Sequence, residues 1–143
     1  MKTVAITFAV VSAIFISSCK NEDGQADVNF AKSTFESLVR GDSSVASEID
    51  WETLNSLGVP VGPQYIAIKS QPEKDSFKTG FITQFSASFR DSGGSVDSFS
   101  NWRAISHDQN HTVVTADSAD GSLKLTVSER DSQKRLSAME IVK

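Results

Sequence analysis

Apolar and polar positions alternate in different ways along the chain, and each pattern predicts a different element. Thr3 to Ile16 is an apolar run broken only by Thr3, Thr7 and Ser12. Farther on, Val28, Ala31, Phe35, Leu38 and Val39 recur at intervals of three and four, which predicts a helix over 28–40. Asp27 is placed to cap its start, and Gly41 to end it in the left-handed conformation. Asp42-Ser43-Ser44 then offers caps for a short helical stretch carrying Val45, Ala46 and Ile49. A further turn from Asp50, with Trp51, Leu54 and Leu57, closes at Gly58. Val59-Pro60-Val61-Gly62-Pro63 interrupts regular structure, because proline lacks an amide hydrogen and restricts its predecessor. The segment that follows, with Tyr65, Ile66 and Ile68, is expected as an ordered loop.

Ser70-Gln71-Pro72-Glu73 has the spacing of a capping box. Behind it Phe77, Phe81, Phe85 and Phe89 step by four, with Ile82 beside them, and predict a helix over 71–91. Such a stripe suits the wall of an apolar pocket, but core packing is its commoner use, so this helix is expected as the backbone of the core. After Gly93-Gly94 the period changes to two. Leu123, Leu125 and Val127 alternate with Lys124, Thr126 and Ser128 as a half-buried strand. Asp120-Gly121 suits the tight turn before it, and Thr112 to Ala116 its partner. Val96 to Ser106 and Arg135 to Val142 complete four strands, and their mixed faces predict bulges. Helices followed by an antiparallel meander predict an α+β domain.

The first apolar run follows Met1-Lys2 and has the charged and apolar regions of an export signal. It is too short for a permanent span, which needs about 20 apolar residues. The run ends in Ile16-Ser17-Ser18-Cys19, which resembles the lipobox of bacterial lipoproteins, with Ser18 where Gly or Ala is usual. The resemblance implies cleavage before Cys19 and attachment of a diacylglyceryl group to its thiol. Cys19 is the only cysteine, and lipidation accounts for a lone cysteine in an exported chain; an ordinary secretory signal that leaves a free thiol is the alternative. Acyl chains contribute about 0.8 kcal/mol per buried CH₂, so several make a lasting anchor.

Three segments follow: a signal over 1–18, a flexible tether over 19–27 starting at the lipidated Cys19, and one domain over 28–143. The tether residues Lys20 to Asp27 are polar without periodicity, with an r.m.s. reach of about 15 Å. In Gram-negative enterobacteria a lysine after the lipidated cysteine favours the outer membrane, and Lys20 carries that implication. Cleavage removes Lys2 and leaves 13 basic against 18 acidic side chains, a net charge of −5. An acidic domain without a basic stripe is a poor nucleic-acid binder.

Phe35-Glu36-Ser37-Leu38-Val39-Arg40-Gly41-Asp42, together with the order of elements, resembles the NTF2-like superfamily, also called cystatin-like. That resemblance implies N-terminal helices packed on a curved four-stranded antiparallel sheet, a cone that can enclose a pocket. Relatives of the isomerase, cyclase or dehydratase type place Asp, His or Tyr side chains inside the cone. Asp50, Tyr65, Asp97 and His107 are the nearest types in this chain, but none matches a family motif and no catalytic role is assigned.

His107-Asp108-Gln109-Asn110-His111 has residue types that bind metals, yet the histidines flank a turn-forming run and read as a hairpin loop. Asn110-His111-Thr112 matches a glycosylation acceptor by accident of composition. Nucleophile elbows and phosphate-cradling glycine loops are absent. Trp51 and Trp102 could anchor a partner, with core packing the commoner use. The expectation is a membrane-anchored lipoprotein of the cell envelope, non-catalytic and without cofactor or metal. It binds a small apolar ligand or an envelope protein. A lipid-anchored isomerase or cyclase and a purely structural envelope protein are the alternatives.

Overall fold

The computed structural model describes residues 20–143, with side chains from Gly24 onward. The expected signal over 1–18 and the lipidation site Cys19 lie outside the described residues.

Helix α1 spans Lys20–Arg40. It begins eight residues before the expected start, so the segment 20–27 expected as an unstructured tether is helical. Asp27 is buried inside the helix rather than capping it. Its carboxylate instead meets Lys134 and Thr112 across the domain. Gly41 ends the helix as expected, with φ 75°. Gly41 N–H donates to Leu38 O and Asp42 N–H to Ser37 O, the two bonds of a Schellman motif. A 3₁₀ turn over Ser43–Glu48 follows, where the Asp42 side chain accepts from the Ser44 amide.

Residues 50–58 differ from the helical turn expected there. Asn55–Ser56 is a short strand, β1, and Val59–Pro60 another, β2. Leu57 and Gly58 join them with φ of 53° and 84°, the two positive values of a tight hairpin turn. Pro60 is tolerated because β2 lies at the sheet edge. The loop expected after it contains a helix, α2, over Gly62–Ala67. Pro63 sits in its first turn, where a missing amide hydrogen costs nothing.

Helix α3 spans Gln71–Asp91, as the sequence predicts. Ser70 accepts from the Glu73 amide at 3.3 Å and its hydroxyl donates to the Glu73 carboxylate at 2.7 Å. Strands β3 (Ser100–His107), β4 (His111–Ser118), β5 (Gly121–Arg130) and β6 (Gln133–Val142) complete the chain. The expected four-stranded sheet is therefore a six-stranded mixed sheet in the order β2-β1-β6-β5-β4-β3. β1 runs parallel to β6, and every other pair is antiparallel. The β4–β5 turn is Ala119-Asp120, one residue earlier than expected, because Ser118 pairs with Gly121. The expected bulges occur in β3 and in β6, where Ser137 is the extra residue opposite Thr126 and Val127 of β5.

The core lies between α1 and the sheet. Val28, Ala31, Phe35 and Leu38 are buried with Val114, Leu123, Leu125, Val127, Leu136 and Met139. On α3 only Ile82 and Ser86 are buried, so α3 is not the backbone of the core. Its position explains the difference: α3 packs on α1, where the Ser86 hydroxyl donates to Val39 O at 2.6 Å. The phenylalanines of α3 are half-buried as a result. Phe35 of α1 takes the central place instead, edge-on to Phe85, Phe89 and Phe99 at 5.6 to 6.4 Å.

Candidate functional site

An apolar groove of about 570 Å³ opens between α3, α2 and the β1–β2 hairpin. That size falls in the range of small-molecule sites, about 300 to 1,000 Å³. With 3.6 residues per turn, Phe77, Phe81, Phe85 and Ser88 share one side of α3, and all four line the groove. Gly80 lies on the same wall, and its missing side chain leaves the groove open: nothing lies within 4 Å of where a Cβ would stand. Val61, Leu57 and Val59 form the facing wall with Ser56 and Gln64, and Gln84 adds a polar group on the α3 side. Leu57 and Val59 are each 52 % exposed, and Ile66 on neighbouring α2 is 55 % exposed. No residue lining the groove is titratable.

The aromatic rings behind the wall hold its shape. Phe81 and Phe85 stack at 6.1 Å, and Phe85 and Phe89 at 6.4 Å. Trp51 is buried behind Phe81 at 5.5 Å, edge to face, and its indole N–H donates to Ala46 O. Tyr65 of α2 lies 6.1 Å from Phe77 and 6.0 Å from Trp51. Both tryptophans are packed: Trp102 is half-buried at 6.3 Å from Phe99.

The titratable residues singled out in the sequence do not converge on this groove. Asp50 is buried elsewhere, 3.8 Å from the Arg130 guanidinium. A hydrogen bond to Glu52, followed by the charge of Asp50, raises the pKa of that guanidinium. Asp97 is exposed in a 3₁₀ turn at residues 96–98, its amide bonded to the Ser95 hydroxyl. Tyr65 backs the groove through its ring.

His107 belongs to a second cluster, which the sequence did not reveal. The Thr112 hydroxyl donates to Asp27 Oδ2 at 2.5 Å and so accepts from His107 Nδ1 at 2.7 Å. Lys134 Nζ meets Asp27 Oδ1 at 2.6 Å. The chain of bonds runs imidazole, hydroxyl, carboxylate, ammonium. Thr112 is buried, and the depression beside it offers only about 20 Å³. That space holds one water and no substrate, so the cluster ties α1 to β4 and β6.

His111 approaches Asp108 at 3.5 Å. Asp108 accepts the backbone amides of Asn110 and His111, which hold its carboxyl below the ordinary value. The loop is the hairpin expected from its sequence, and among the described residues no three His, Cys, Asp or Glu side chains are grouped to hold a metal. Nor is any helix among them long and apolar enough to cross a membrane. Comparison with protein-family models, with curated proteins and with solved structures finds no match.

Proposed function

We infer that this chain is a non-catalytic binding module that takes a small apolar or amphiphilic molecule into the α2–α3 groove, at a membrane face to which Cys19 tethers it. The groove itself carries the reading. Its walls are phenylalanine, valine and leucine with a few neutral polar groups, and no acid or base that could activate the Ser56 or Ser88 hydroxyl lines it. General acid–base chemistry needs a titratable group within hydrogen-bond reach of the substrate. The tether rests on Val4 to Ile16 and Ser17-Ser18-Cys19, and it places the domain in the cell envelope. The finer fold reading is the NTF2-like cone. The order of elements and the antiparallel run β3 to β6 support it.

The two parts are tested separately. A neutral fluorescent naphthylamine should bind the full chain and be excluded by Gly80→Leu, which fills the groove without touching the core. Equal binding by both chains would defeat the groove reading, and displacement of the dye only by a protein partner would identify a docking surface instead. For the tether, intact mass from host membranes should equal residues 19–143 plus lipid, with Cys19→Ser lost from the membrane. An unmodified thiol would defeat it.

A further inference from the structure

Two lysines stand beside the groove, outside its lining. Lys74, Phe77, Phe81, Phe85 and Ser88 follow one another at intervals of three, four, four and three, so all five lie on one side of α3. Lys74 is thus the residue that continues the apolar row toward the N-terminus of the helix. Its Nζ lies 4.9 Å from the centre of the Tyr65 ring, and the Nζ of Lys78 lies 5.5 Å from the same ring. Tyr65 in turn touches Phe77, the first aromatic residue of the wall.

Two ammonium groups are therefore gathered over one ring, that of Tyr65, which neighbours Phe77 in the groove wall. Like charges four residues apart repel on a helix, and a cation over a tyrosine face offsets this only in part. Among the described residues neither ammonium forms an ion pair. Asp75, the carboxylate beside them in sequence, is held by the Gln71 amide at 2.8 Å. An anion would offset the repulsion of the pair, and an alkyl chain would match the apolar side chains of the adjoining groove.

We propose that the groove binds a single-chain carboxylate of the fatty-acid type, its alkyl chain along Phe77, Phe81 and Phe85 and its carboxylate at Lys74 and Lys78. This rests on the groove being a binding site and adds the class of its ligand. The volume suits one small molecule, and the two charges select its head.

Calorimetric titration of the full chain with dodecanoate and dodecyltrimethylammonium, each below its micelle concentration, and with dodecanol below its solubility limit tests the proposal. Dodecanoate should bind about tenfold or more tightly than the other two. Lys74→Gln with Lys78→Gln should lose about that factor for dodecanoate and leave dodecanol unchanged. Lys74→Arg with Lys78→Arg should keep it, and Lys32→Gln, a charge on another helix, should have no effect. Equal affinity for the three probes, or dodecanoate binding indifferent to the paired glutamine substitutions, would overturn the charge selection and leave the groove standing. Failure of all three probes to bind would overturn both.

Discussion

The Asp27 carboxylate and the Lys134 ammonium meet at 2.6 Å, and this pair ties the N-terminal half of α1 to β6. The Asp27 side chain is 7 % exposed and that of Lys134 33 % exposed. The two ends of the pair are therefore not equivalent. Lys134→Ala strands a buried carboxylate with the Thr112 hydroxyl as its remaining strong partner, and should cost about 3 kcal/mol. Asp27→Ala should cost less, because the freed ammonium can turn into water. The double substitution should recover part of the loss, measured as urea midpoints in a double-mutant cycle.

Phe35 and Phe81 look alike in sequence and should behave differently. Phe35 is fully buried among Phe85, Phe89 and Phe99, so Phe35→Ala should cost about 3 to 5 kcal/mol. Phe81 is half-buried on the groove wall, and Phe81→Ala should cost clearly less while abolishing dye and dodecanoate binding. Thermal unfolding beside binding isotherms separates the two effects.

Gly80 and Gly62 should respond to alanine with opposite signs. Gly80 is inside α3 with open space where a Cβ would stand, so Gly80→Ala should stabilise by about 0.5 to 1 kcal/mol. At Gly62 a Cβ would collide with the Glu52 carbonyl, a backbone group that cannot rotate away. Gly62→Ala should destabilise by about 1 to 3 kcal/mol. Denaturant midpoints read both directly.

Acid should weaken the fold. Asp42, Asp108 and Asp117 each have a carboxyl held below the ordinary 3.8. The causes are the Ser44 backbone amide for Asp42, the Asn110 and His111 amides for Asp108, and Asn101 followed by Arg103 for Asp117. The unfolded chain regains the ordinary value, so below it the unfolded state binds more protons and stability rises with pH. The contribution is complete above 3.8 and is lost as pH falls through the folded-state values. Melting temperatures taken from about pH 5 down to about pH 3 should fall, and Asp108→Asn should shrink the fall.

Local signals were legible and long-range ones were not. The bounds of α3 follow from Ser70 and Glu73 at one end and Gly93 at the other, interactions a few residues apart. Leu123, Leu125 and Val127 likewise report their strand by alternation alone. Residues 20–27 have no apolar period, and the partners that make Asp27 helical and buried, Thr112 and Lys134, come from distant strands. β1 and β2 are two residues each, too short for any period to register. The phenylalanine stripe placed four rings on one face of α3 and was expected to meet the core, whereas the buried residues of α3 are Ile82 and Ser86. Whether that face met the core or a groove depended on α3 packing against α1, which periodicity does not encode.

The most direct measurement is amide chemical-shift mapping of the full chain as dodecanoate is added. The account predicts saturable shifts at Ser56 to Gln64 and along Lys74 to Ser88, with little change around Asp27, Thr112 and Lys134. Shifts confined to that second cluster, or none at saturating dodecanoate, would contradict the claim that the α2–α3 groove is the binding site.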